Sequence, residues 1–115
     1  MNKYIYSDAS FNPQIKTAVC GYLKDGIINY VILENTTNIN AEIYAFQMAL
    51  SNSDKTYIFG SDCQKVINMG LSDGCKMIKI KGHKPTSEKS QIDTEFSLLD
   101  KYLRKRLRLL IKDQS

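Results

Sequence analysis

The sequence predicts an α/β domain: a five-stranded mixed sheet with helices packed on it, in the order β-β-β-α-β-α-β-α. Two observations carry this. Three apolar runs crowd the first 34 residues, separated only by turn residues, as in an antiparallel meander. Beyond residue 40, stretches with helical spacing alternate with short apolar runs. At 115 residues the chain fits one domain, 1–115, around one core.

Residues 3–8 alternate and are rich in Tyr and Ile, so they read as a strand that ends at Asp8. Asn12-Pro13 breaks the chain. Residues 16–24 and 27–34 are two more strand-type runs. Asp25-Gly26 between them is a two-residue hairpin signal, because both central positions of such a turn need φ > 0. Asn35-Thr36-Thr37-Asn38 supplies loop and capping residues. A helix is expected from Asn40 to Asn52, with Ala41, Ala45, Met48 and Ala49 on one face. Residues 55–60 read as a strand, 63–71 as a short helix and Lys76–Lys81 as a fifth strand. A polar loop spans Gly82 to Gln91. An amphipathic helix follows from Ile92 to Lys112, with Phe96, Leu99, Leu103, Leu107 and Leu110 on its apolar face.

No apolar run approaches membrane-spanning length, so no membrane partner is expected. Three cysteines without a CxxC pair, and no secretory leader pattern at Met1, point to a reduced, cytoplasmic compartment. The oligomeric state is left open, with a monomer slightly favoured. Charge is unevenly placed. Residues 1–75 carry five Lys/Arg against seven Asp/Glu, a net of −2; residues 76–112 carry eleven against four, a net of +7. A basic half beside an acidic half suits a polyanionic substrate held near a metal site.

Four acids stand out: Asp8, Glu42, Asp62 and Asp93. Asp8 and Asp62 follow predicted strands, and Glu42 lies in a first helical turn. Asp93 comes ten residues after the only histidine, His83. Three have a plainer reading alone: Asp8 as a turn residue, Glu42 complementing the helix dipole, Asp62 as a helix cap. Carboxylates gathered at element ends repel one another, and a divalent cation relieves that repulsion. Such hard oxygen ligands suit Mg²⁺ or Mn²⁺. The pattern points to phosphodiester hydrolysis with two metal ions.

In order, spacing and element type these residues resemble type 1 ribonuclease H. Tyr6-Ser7-Asp8-Ala9-Ser10 looks like that family's first-strand motif. Thr36-Thr37-Asn38 with Glu42 looks like its Thr-Thr-Asn loop and glutamate. Ser61-Asp62-Cys63-Gln64-Lys65-Val66 is similar to its stretch after the fourth strand, and Lys81-Gly82-His83 with Asp93 to its last loop and final aspartate. The resemblance implies a ribonuclease H-like fold. It implies an endonuclease that cuts the RNA strand of an RNA–DNA hybrid, leaving 5′-phosphate and 3′-hydroxyl ends. Asp8, Glu42, Asp62 and Asp93 would hold two Mg²⁺ ions, Mn²⁺ substituting, with Glu95 as the alternative fourth ligand. His83 would pass a proton or help product leave. Asn38 and Gln64 would contact the RNA strand, Thr37 a DNA phosphate, and Asn12 the groove. Lys84 and Lys89 flank His83 and would add phosphate contacts. The family's basic insertion has no room between Gly70 and Lys76, so the chain is a short form.

Two competing functions are a nuclease of the same superfamily acting on branched or duplex DNA, and a non-catalytic nucleic-acid-binding module. The Thr-Thr-Asn and Asp-x-Gln stretches favour hybrid cleavage, and the complete set of acids disfavours the module.

Overall fold

The computed structural model describes residues 3–81 and 91–114. Eight elements run in the predicted order: β1 (Tyr4–Asn12), β2 (Thr17–Lys24), β3 (Ile27–Leu33), α1 (Asn38–Ser51), β4 (Ile58–Ser61), α2 (Gln64–Ser72), β5 (Lys76–Lys79) and α3 (Gln91–Gln114). The sheet order is β3-β2-β1-β4-β5. β1, β2 and β3 pair antiparallel, whereas β4 joins β1 and β5 joins β4 in parallel. The sheet is therefore five-stranded and mixed.

The Asp25-Gly26 turn forms as expected, with φ of 51° and 78°. β2 is buried along nearly its whole length. That explains its continuous apolar run, since both of its faces are covered. On one face α1 lays Ala41 and Ala45 against Ala18 and Cys20 of β2. Small side chains there let the helix backbone come close to the sheet. Phe46 of α1 meets Phe59 of β4 edge-to-face, with ring centroids 5.6 Å apart. On the other face Phe96, Leu99, Leu103 and Leu107 of α3 pack on Tyr6, Val19 and Leu23. Gly60 of β4 is required by this packing: a Cβ there would stand 2.8 Å from the Tyr6 ring and 2.9 Å from Ile80.

Several boundaries and caps differ from expectation; α1 starts at Asn38 rather than Asn40, and β5 ends at Lys79 rather than Lys81. β1 does not end at Asp8 but continues to Asn12, because β2 is long enough to pair with all of it, from Ile5↔Lys24 to Asn12↔Thr17. β4 begins at Ile58 rather than 55, because Asp54 accepts a hydrogen bond from the Thr56 N–H and holds that stretch as a turn. The cap of α2 is Cys63, with no side-chain bond to the helix, so Asp62 does not cap it.

These details make a step in the sheet. β4 pairs with β1 only over Tyr4–Tyr6, while β1 runs on past it. The N–H and C=O groups of β1 beyond that point face a gap where β4 has ended.

Candidate metal centre

Asp8 and Asp62 meet at this step because of strand register. Tyr6 sits opposite Gly60 in the parallel β1–β4 ladder. Two residues further on come Asp8, still in β1, and Asp62, the first residue past the end of β4. Glu42 reaches the gap from α1. Thr37 starts that helix by accepting the Asn40 N–H on its side-chain oxygen at 3.1 Å. Glu42 follows one turn later and turns inward, where it accepts the Ala9 N–H on Oε1 at 3.1 Å. One carboxylate oxygen from each of Asp8, Glu42 and Asp62 lies within 4.8 Å of the other two.

The electrostatics of the three are strained in the same direction. Asp8 and Glu42 are buried and Asp62 lies exposed at the rim. Burial, then the Glu42 and Asp62 charges, hold the Asp8 carboxyl well above the ordinary carboxylate range. Burial and the Asp62 charge push Glu42 up to about 8. Asp62 is raised too, by desolvation first, although the nearby Lys79 charge opposes the shift. Asp8 Oδ2 and Glu42 Oε2 are buried with no hydrogen-bond partner. Leaving buried carboxylate oxygens unpaired costs free energy that a cation ligated there would recover. An all-oxygen donor set with two unpaired buried atoms fits a hard divalent ion such as Mg²⁺ or Mn²⁺.

Asp93 does not join this group, although it lies in the first turn of α3. Glu95 is directed elsewhere: Tyr6 donates its hydroxyl to Glu95 Oε2 at 2.6 Å. Of the acids of α3, Asp100 stands near enough for its charge to raise Asp8, Glu42 and Asp62, but its carboxylate pairs with Arg104 and, like Asp93, it is not one of the clustered acids. The sequence reading missed Asp100. Asp93 and Asp100 are two helical turns apart and share a stripe of α3, so periodicity alone does not separate them.

Around the centre, Gln64 opens α2 two residues after Asp62. Lys79 donates to Gln64 Oε1 at 2.9 Å, and Gln64 Nε2 donates to Asn68 Oδ1 at 3.0 Å. This line of amide and ammonium groups runs out from Asp62 over α2 and β5. Asn38 is the first residue of α1, and Thr37 is its cap. Asn12 ends β1 and accepts the Gln14 N–H at 2.8 Å, shaping the turn that follows. His83, Lys84 and Lys89 lie outside the described residues. A cavity of about 860 Å³ lies elsewhere, between the start of β1 and the start of α3, and none of the three clustered acids lines it. No described helix is long and apolar enough to cross a membrane.

No family model matches the chain.

Proposed function

We propose that the chain is a divalent-metal-dependent nuclease of the ribonuclease H type, cutting the RNA strand of RNA–DNA hybrids. One observation carries the reading. Carboxylates from β1, α1 and the end of β4 converge within 4.8 Å, and two of their buried oxygens have no partner. A protein that only needed a core would not retain that arrangement, because it destabilises the fold. The motif order that resembles ribonuclease H supports the same conclusion.

Asp8, Glu42 and Asp62 would hold the metal, with Asp100 adding negative charge from α3. Bound Mg²⁺ would supply charge stabilisation at the scissile phosphate and the leaving oxygen. The protein's own groups do the positioning. The Ala9 N–H fixes the orientation of Glu42. Gln64, two residues after Asp62, and Asn38, at the start of the helix that carries Glu42, would bond 2′-hydroxyls, which are what distinguish RNA from DNA. Lys79 offers a cation to a phosphate next to Asp62. His83 would pass a proton, as the family resemblance implies.

The test is cleavage of four substrates, with and without Mg²⁺: RNA–DNA hybrid, duplex RNA, duplex DNA and a four-way DNA junction. Metal-dependent cutting of the hybrid alone is expected. Cutting of the junction or of duplex DNA would assign the chain to the DNA-cutting branch. No cutting of any substrate in Mg²⁺ or Mn²⁺ would overturn the enzyme reading.

A further inference from the structure

β3 is the outer strand of the sheet, so one row of its backbone N–H and C=O groups faces away from β2. The other edge, β5, is short and carries Lys76 and Lys79, which discourage pairing. β3 carries no such protection. Ile27-Ile28-Asn29-Tyr30-Val31-Ile32-Leu33 has no charge and no proline. Ile27 is 64% exposed, Ile32 47% and Tyr30 36%.

The strand is also nearly symmetric about its centre. A two-fold axis through Tyr30 would set Ile28 against Ile32 of a second copy, Ile27 against Leu33, and Tyr30 against itself. Every cross-strand pair except Asn29–Val31 then joins apolar or aromatic side chains. Such pairs are the unit by which antiparallel ladders are stabilised.

The helix beside the strand packs on its central residue. Tyr102 of α3 meets Tyr30 edge-to-face at 5.7 Å, and the Arg106 guanidinium stands 5.5 Å from the Tyr30 ring and 5.0 Å from that of Tyr102. Two exposed leucines, Leu98 and Leu109, flank this contact on the same helical stripe.

We propose that β3 is the contact of a two-fold symmetric dimer, in which two sheets join antiparallel across Tyr30 into one ten-stranded sheet. The occupant is a second copy because the strand is complementary to itself about one axis, the requirement of an isologous contact. The metal centre lies on β1, β4 and α1, so both copies keep it open. The proposal does not rest on the nuclease reading, and an inactive protein would leave it untouched.

Sedimentation equilibrium across a concentration series tests it. The wild-type chain should reach twice its 13.1 kDa mass. Ile32→Lys should hold it at the single-chain mass, with circular dichroism and melting temperature confirming an intact fold. If that variant fails to fold, Ile27→Lys, at the most exposed position, takes its place. Under a mild thiol–disulfide buffer Tyr30→Cys should crosslink to itself, whereas Ile32→Cys should not. A wild-type chain that stays single at its highest soluble concentration overturns the proposal. So does a dimer that survives both lysine variants, or one that crosslinks through Ile32→Cys and not through Tyr30→Cys.

Discussion

The main-chain N–H of Ala9 holds Glu42 Oε1 at 3.1 Å, while Oε2 of the same carboxylate stays buried and unpaired. Glu42 is thus fixed in place without being satisfied. Its pKa lies at about 8, raised by burial and by Asp62. A carboxyl whose folded pKa exceeds its unfolded value stabilises the fold below the ordinary carboxylate range. It loses that contribution as pH rises through the folded value. The metal-free protein should therefore melt at progressively lower temperature from about pH 5 to beyond pH 8. Thermal melts in chelator across that range check this. Mg²⁺ should raise the melting temperature more at pH 8 than at pH 5, because it replaces protons that are then absent.

Glu42→Gln removes one charge and keeps the shape. In chelator at pH 8 it should stabilise the fold by about 1–3 kcal/mol, through relief of repulsion and desolvation. The same change should abolish the response of the melting temperature to Mg²⁺. Urea unfolding with and without the metal measures both effects. A variant less stable than wild type at pH 8 would contradict the electrostatic account.

Hybrid cleavage should fall by roughly a hundred- to a thousandfold or more in Asp8→Asn, Glu42→Gln and Asp62→Asn, the scale seen when one group that stabilises transition-state charge is lost. Steady-state rates at saturating Mg²⁺ provide the measurement. Asp62→Asn with wild-type turnover would remove Asp62 from the metal set.

Among the acids of α3, Asp100→Asn should raise the Mg²⁺ concentration needed for half-maximal activity by about tenfold, equal to about 1.4 kcal/mol. Asp93→Asn should change it less. The reverse ranking would return the fourth position to Asp93, where the family resemblance puts it.

Glu95 should behave as a structural residue. Tyr6→Phe removes the hydroxyl that Glu95 accepts. It should cost about 1–3 kcal/mol, as for hydrogen bonds to charged groups. Cleavage by the folded variant should be unchanged. Equilibrium unfolding beside a rate measurement separates the two.

Much of this was legible in the sequence because it is local. The Asp25-Gly26 turn, the Thr37 cap and the apolar stripe of α3 each follow from residues close together in the chain. Asp8, Glu42 and Asp62 could be picked out because each sits in a short stretch that resembles one family. What could not be read was set by partners far along the chain. The length of β1 beyond Asp8 depends on β2. Which acid of α3 faces the centre depends on how far the helix slides along the sheet. Asp93 and Asp100 lie on one stripe, so only tertiary packing distinguishes them.

The parallel register of β1 against β4 has a kinetic consequence. The β1–β2–β3 meander closes through short turns, but β4 reaches β1 only after β2, β3 and α1 have been traversed. Such non-local pairing forms late, since its loop-closure entropy must be met first. Asp8 and Asp62 therefore stay apart through the early stages of folding, and their mutual repulsion falls on the final docking of β4. A cation that holds them together acts only at that docking, on contacts formed after the meander. Its stabilisation would appear as slower unfolding, with the rate of folding nearly unchanged.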